Sequence, residues 1–413
     1  MCRMTAPSPL PVDVLVLGGG ASGLWILDAM HRAGHRALLL EAGSLGQGQT
    51  IASQGIIHGG LKYALRLGPS RSARTIRDMP LRWRRALGGE MAPDLAGTLL
   101  RSDYCCLWAM PGIRSRIGLL GARFGLRTKP LPMPVEARPE PLRSWDGPVA
   151  RIDEQVIEPQ SMLSLLASQH RDRCLKIDLE SGFEFSMRTD GSVELVRLLN
   201  PETSEPLDLQ PAHVVLAAGA GNEHLRSLLG LPGQAMQRRP LHMVVARGSL
   251  PKLNGHCIRN GAPWLTITST ADCADRVVWQ IGGTIAEECV GRDRSETIQR
   301  ARDCILQALP ELDLSGVQFG SYVSDRAEAS TDGGARPDGP AMLVDANVLT
   351  TWPTKLALVP MLCDAVDEAI EVASHPDATP IDLHEWPRPS VALPPWEREE
   401  TWTDVLSATV VST

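Results

Sequence analysis

The sequence predicts an α/β fold: a parallel sheet with covering helices, assembled from separated stretches of chain, and an antiparallel sheet built from the stretches between. Three observations predict it. Residues 13–42 read as strand, glycine turn, helix and strand. Similar α/β pieces return in the middle and near the end of the chain. Alternating apolar runs lie between them.

The first unit opens with DVLVL (13–17) and turns through GGGASG (18–23). LWILDAMHRAG (24–34) has helical apolar spacing and ends at Gly34. HRALLLEA (35–42) closes a βαβ unit. Residues 61–150 are rich in Arg and Pro and lack a simple period. HVVLAAGAG (213–221) is a further α/β strand, whereas HMVVARG (242–248) and RVVWQIGGTI (276–285) suit an antiparallel sheet. MLVDANVLTTW (342–352) and KLALVPMLCDAVDEAIEVA (355–373) return to strand and helix. The tail from 376 reads as an extended strap or a mobile end.

Composition excludes several classes. With 413 residues, 43% apolar and 22% charged, the chain suits two or three globular domains. No apolar run approaches 18 residues, and the N-terminal stretch does not read as a signal peptide. Nine cysteines without a C-x-x-C pair read as reduced thiols in a cytoplasmic protein, and no metal site is expected. The net charge of −7 hides a basic stretch: residues 61–130 carry 14 Lys and Arg against four Asp and Glu. That imbalance points to an anionic partner, while the acidic remainder speaks against nucleic acid.

Gly18, Gly20 and Gly23 form G-x-G-x-x-G between a strand and a helix, with Ala21 and Ser22 inside the motif. The glycines allow a tight turn, close approach to a pyrophosphate, and helix–strand packing. The helix N-terminus offers free N–H groups to phosphate. Glu41, followed by Ala42, ends the second strand where an acid can bond ribose hydroxyls, which disfavours a 2′-phosphate.

The next segment, GQGQTIASQGIIHGGLKYAL (46–65), has no role in a nicotinamide dehydrogenase. It resembles the stretch beside the flavin in the D-amino-acid oxidase superfamily. Within that group it most resembles FAD-dependent glycerol-3-phosphate dehydrogenases, through Ser53, Ile57, His58, Gly59, Gly60, Leu61, Lys62 and Tyr63. HVVLAAGAG is similar to the second FAD strand, with Gly219 in its turn. RPLHMVV (239–245) is similar to the segment that sets a histidine, here His242, over the substrate. ARPDGP (335–340) resembles an Arg-Pro turn with Arg336 near flavin and substrate. PTKLALVPMLCDAVDEAI (353–370) resembles the closing Gly-Lys-Leu segment, with Lys355 and Leu356 in place and Pro353 and Thr354 where the family has glycines.

The resemblance implies FAD as cofactor and a discontinuous Rossmann-like FAD-binding domain (12–60, 151–240, 336–375). An antiparallel-sheet substrate domain (61–150, 241–335) and a C-terminal tail (376–413) complete the expected organisation. It places Gly18, Gly20, Ala21, Ser22, Gly23, Glu41, Ala42, Ser53, Gly59, Gly219, Lys355 and Leu356 at the cofactor. It implies an FAD-dependent dehydrogenase or oxidase that moves a hydride from a small anionic alcohol or amine to flavin N5. Glycerol-3-phosphate-like substrates lead, with 2-hydroxyacid and D-amino-acid or amine oxidation as alternatives. A non-catalytic flavin-binding regulator is the alternative from another class.

His58 and His242 are candidate bases, since a neutral imidazole takes a proton near working pH. Lys62, Tyr63 and Arg336 are candidates for holding the substrate anion. Lys355, one of only five lysines, is a candidate for stabilising charge at the flavin or on a substrate oxygen. The electron acceptor is left open among oxygen, a quinone and a carrier protein. GIRSRIGLLGARFGLRTK (112–129) interleaves five basic residues with apolar ones. It is a candidate for peripheral contact with the inner face of a membrane.

Overall fold

The computed structural model describes residues 8–60, 76–111, 130–370, 383–399 and 401–404. Lys62, Tyr63 and the basic segment 112–129 lie outside the described residues. Among the described residues, no helix is long and apolar enough to cross a membrane.

The strand Leu10–Leu17 sits in the middle of an eight-stranded sheet. It pairs in parallel with Pro206–Leu216 on one side and Ala37–Glu41 on the other. Val348–Trp352 and Cys174–Lys176 extend the parallel order, and Ala341–Asp345 closes one edge antiparallel. A strand covered on both faces must be apolar on both faces. Accordingly Val14 and Val16 pack with Leu24 and Leu27, while Leu15 and Leu17 pack with Leu38 and Leu216.

The helix Ala21–Arg32 is buried along most of its length, between this sheet and the helices Pro159–Gln169 and Val359–Ala369. Its one buried acid, Asp28, is bonded by Arg32 Nε at 2.8 Å and His170 Nε2 at 3.1 Å. Two glycines of the opening motif are required sterically. Gly18 has φ +109°, and a Cβ there would lie 2.5 Å from Ala218 Cα. A Cβ on Gly23 would lie 1.9 Å from Gly18 O.

The second sheet has nine strands. Within it Met236–Gly248 pairs antiparallel with both Gln318–Ala329 and Val277–Gly282. Ala262–Ala271 and Gly255–Arg259 follow, also antiparallel. The sheet departs from the expected purely antiparallel form at one place: Gly255–Arg259 runs parallel to Cys105–Ala109. The helix Arg294–Ala308 covers one face, packing Ile298, Ala301 and Ile305 with Val244, Ala246 and Trp279. Asp293 caps it by accepting from Glu296 N–H at 2.8 Å.

Residues 383–399 and 401–404 form a strap over both sheets. Leu45 exchanges backbone bonds with Ser390 and Ala392 beside the first sheet. Thr403–Asp404 adds a strand to Gln318–Ala329 in the second. The cysteines among the described residues are unpaired, and Cys363 is a buried thiol against Trp25 O. Trp264, Trp279 and Trp352 are all buried; Trp264 and Trp279 join the core of the second sheet.

Because Gly23 touches Gly18 O, Gly23→Ala forces helix and strand apart. We expect a loss of about 1–3 kcal/mol, read as a thermal midpoint several degrees lower.

Candidate active site

Two cavities meet between the sheets. The larger, about 970 Å³, is lined by Gly18 to Ser22, by Glu41 and Ala42, and by Ala217 to Gly221. The helix N-terminus at Ala21 opens into it, where the positive dipole end favours an anion. Ala21 N–H donates to Thr50 Oγ1 at 3.1 Å. Glu41 spans the mouth of the turn: Gly19 N–H and Gly43 N–H each donate to its carboxylate at 2.6 Å. Gly219, at φ +59°, makes the turn after the strand Pro206–Leu216. Strap residues Pro395, Arg398, Glu399 and Thr401 complete the far wall.

The smaller cavity, about 230 Å³, adjoins it. Gln49, Ala52, Ser53, Ser324, Lys355 and Leu356 line both. Lys355 follows Thr354, which has φ +64°. That conformation is costly for a β-branched residue. Here Thr354 is buried and its Oγ1 donates to Gly339 O at 2.8 Å. With Pro353 and Thr354 before it, the lysine lines both cavities.

Among the expected residues, His58 and Arg336 line the smaller cavity, joined by His256, Arg326 and Glu287. The Arg336 Nε is buried with no hydrogen-bond partner among the described residues. Arg326 Nη1 bonds Glu287 at 3.1 Å and its Nε donates to Arg239 O at 3.3 Å. Burial, reinforced by the neighbouring Arg239, lowers the Arg326 pKa. His58 keeps 39% of its side chain exposed, with Nδ1 on the buried Glu154 carboxylate at 3.3 Å. Desolvation lowers the His58 pKa from its ordinary 6.5, helped by Lys355 and His256 and opposed by Glu154. Burial would raise the Glu154 carboxyl, but the two histidines outweigh it and hold it well below the usual range.

Three expected residues are placed elsewhere, beginning with Gly23, which packs against Gly18 O and lines neither cavity. His242 does not face the cavity. Along its strand Leu241 and Met243 line the cavity, so His242 points to the opposite face. There Nδ1 lies 3.2 Å from Cys289 O and 3.1 Å from Thr297 Oγ1, and Nε2 lies 3.1 Å from Ser321 Oγ. Gly59 lines neither cavity; its N–H donates to Glu154 Oε1 at 2.7 Å. Sequence reasoning missed Glu154, His256 and Arg326, which lie in no recognised motif and meet His58 or Arg336 only through folding.

The family model for DAO, FAD dependent oxidoreductase, matches residues 13–347. The chain belongs to this family of FAD-dependent oxidoreductases. The probable FAD-dependent oxidoreductase PA4991 of Pseudomonas aeruginosa is 36% identical over 396 residues, 95% of this chain and 99% of its own. Its crystal structure superposes with a TM-score of 0.78. The L-alpha-glycerophosphate oxidase of Mycoplasma pneumoniae, with FAD bound, is 15% identical with a TM-score of 0.62. It covers 87% of this chain and 94% of that one, a likeness of fold. The glycerol-3-phosphate dehydrogenase of Bacillus halodurans is more distant still: 16% identity, a TM-score of 0.52, and 88% of this chain on 64% of that one. The expected special likeness to that enzyme therefore reduces to shared fold, and the family as a whole is what the chain shares.

The enzyme uses FAD, and the larger cavity fits it. The glycine turn, the helix N-terminus and Glu41 suit pyrophosphate and ribose. Ser53 Oγ, buried and without a partner among the described residues, lies where the two cavities join. Glu41→Ala removes the acid at the ribose position; FAD affinity should fall about 10-fold or more, read by titrating apoprotein with FAD fluorescence.

Proposed function

We propose that this oxidoreductase dehydrogenates a small anionic substrate, an alcohol of the glycerol-3-phosphate or 2-hydroxyacid kind in preference to an amine. One observation carries the reading: a histidine held by a buried carboxylate shares a 230 Å³ cavity with two arginines. An alcohol has to lose its O–H proton as it becomes a carbonyl, so it needs a base, whereas an amine can bind already neutral.

Arg336 and Arg326 supply the anion site. The unsatisfied Arg336 Nε offers a donor in a low-dielectric pocket, where a charged hydrogen bond is strong. Glu287 and the Arg239 carbonyl hold Arg326 in place. Leu241, Met243 and Pro263 close the cavity with apolar surface. His58 donates from Nδ1 to Glu154, which leaves Nε2 to accept the hydroxyl proton. Bound FAD accepts the hydride from the substrate C–H bond. Lys355, on the wall common to both cavities, places a cation where negative charge develops.

The test is the visible spectrum of the FAD-loaded enzyme under anaerobic conditions, after adding glycerol-3-phosphate, lactate or an amino acid. Bleaching by one of the first two supports the reading, and bleaching by the amino acid alone overturns it. His58→Gln should retain FAD yet slow bleaching about 10²–10⁴-fold. Arg336→Ala should raise KM about 10-fold or more with a smaller effect on kcat.

The pH profile follows from the sign of the His58 shift. The base works only when neutral, above its pKa, and that pKa lies below 6.5. The rate of flavin reduction should therefore be level at neutral pH and fall on the acid side at a midpoint below 6.5. A midpoint above that value would count against a desolvated His58 as the base.

A further inference from the structure

Behind His58 lies a set of groups that proton acceptance alone does not require. Glu154 follows the strand Val149–Ile152 and is 1% exposed. Its Oε1 accepts from Gly59 N–H. Its Oε2 lies 3.3 Å from His58 Nδ1 and 3.2 Å from His256 Nε2. The two imidazoles are 5.9 Å apart and tilted by 35°. His256, 2% exposed on the strand Gly255–Arg259, has Nδ1 3.0 Å from Thr266 Oγ1.

These partners determine the protons. An ionised carboxylate only accepts, so both His58 Nδ1 and His256 Nε2 must donate to it. With Nε2 donating, a neutral His256 accepts at Nδ1 from the Thr266 hydroxyl. One carboxylate thus receives three N–H groups, which is what keeps a buried charge tolerable. Cys105 sits beside it as a neutral thiol, because burial raises its pKa.

We infer that Glu154 and His256 are positioning residues for His58, fixing its Nδ1–H tautomer and setting how readily its Nε2 holds a proton. The inference rests on the reading of His58 as the base. When the substrate O–H bond breaks, its proton joins Nε2. Its electron pair becomes the second bond of the carbonyl, and the hydride leaves carbon for FAD. The Nδ1 proton stays on His58, and Glu154 stays ionised beside the new imidazolium. His256 competes for the same oxygen, so it limits how strongly Glu154 favours that imidazolium. The other charges facing His58 are Lys355, which opposes protonation, and the cavity groups Arg326, Arg336 and Glu287.

Two variants should move His58 in opposite directions. Glu154→Gln keeps the shape and the acceptor for Gly59 N–H but removes the charge. The His58 titration midpoint should fall by about one unit or more. His256→Phe removes the competitor, so the midpoint should rise. The readout is histidine ¹⁵N NMR of the FAD-loaded enzyme across pH, which needs no substrate. The acid limb of flavin reduction by glycerol-3-phosphate should move with it. A residue with a merely structural role would not shift the midpoint either way. If one variant fails to fold, the other decides alone. An unmoved midpoint overturns the inference. So does a stoichiometric metal ion in the purified enzyme, since the three ligand-type atoms lie within 4.8 Å of one another and a metal would take the nitrogens assigned protons here. If His58→Gln bleaches as fast as the parent while the two midpoints still move as stated, the base reading fails and the pairing stands.

Discussion

A carboxylate taken out of water has to be met by donors, and in this protein Glu154 is met from two directions. Gly59 N–H and His58 come from the segment after the glycine turn, and His256 comes from the second sheet. The same segment is stitched to the chain beside Glu154 by Ile57 N–H to Gln155 O at 2.8 Å and Ile157 N–H to Gly55 O at 2.9 Å. The position of His58 is therefore a consequence of satisfying one buried charge. Moving the histidine would leave that charge short of a donor, at a cost of several kcal/mol.

The same joint brings the cofactor cavity and the smaller cavity against a common wall. Ser53 and Lys355 reach that wall from opposite ends of the chain. Ser53 arrives on the loop after the first βαβ unit, and Lys355 on the turn that starts the helix Val359–Ala369. Thr354 pays for that turn with an unfavourable backbone angle, which the bond to Gly339 O and its burial hold in place. The glycerophosphate oxidase shares the fold at 15% identity, so the fold itself does not depend on these particular side chains.

His242 shows where a motif stops being informative. The strand Met236–Gly248 is paired on both sides in the second sheet, and its alternation suits that antiparallel setting. Alternation says that neighbours face opposite sides; it does not say which side holds the cavity. Leu241 and Met243 took that side, and His242 became a hydrogen-bonded link between its strand, Ser321 and the helix Arg294–Ala308. Arg326 is the converse case. Nothing in its local sequence marks it, yet strand period and the Glu287 contact turn its guanidinium into the cavity.

By itself the sequence determined the parallel sheet and a dinucleotide-type glycine turn, while the flavin followed from the family resemblance of residues 46–65 and later segments. The sheet and the turn are written in local chemistry: apolar runs that bury both strand faces, glycines that admit backbone where a Cβ would collide, and an acid at the end of the second strand. It also singled out His58, Arg336 and Lys355, all of which line the smaller cavity. Only the tertiary structure decided which of them meet and what stands behind them. Glu154 is 96 residues from His58, and His256 is 102 residues from Glu154. Their encounter depends on two sheets closing around a charge that must be paired, and no local pattern encodes a distance of that kind.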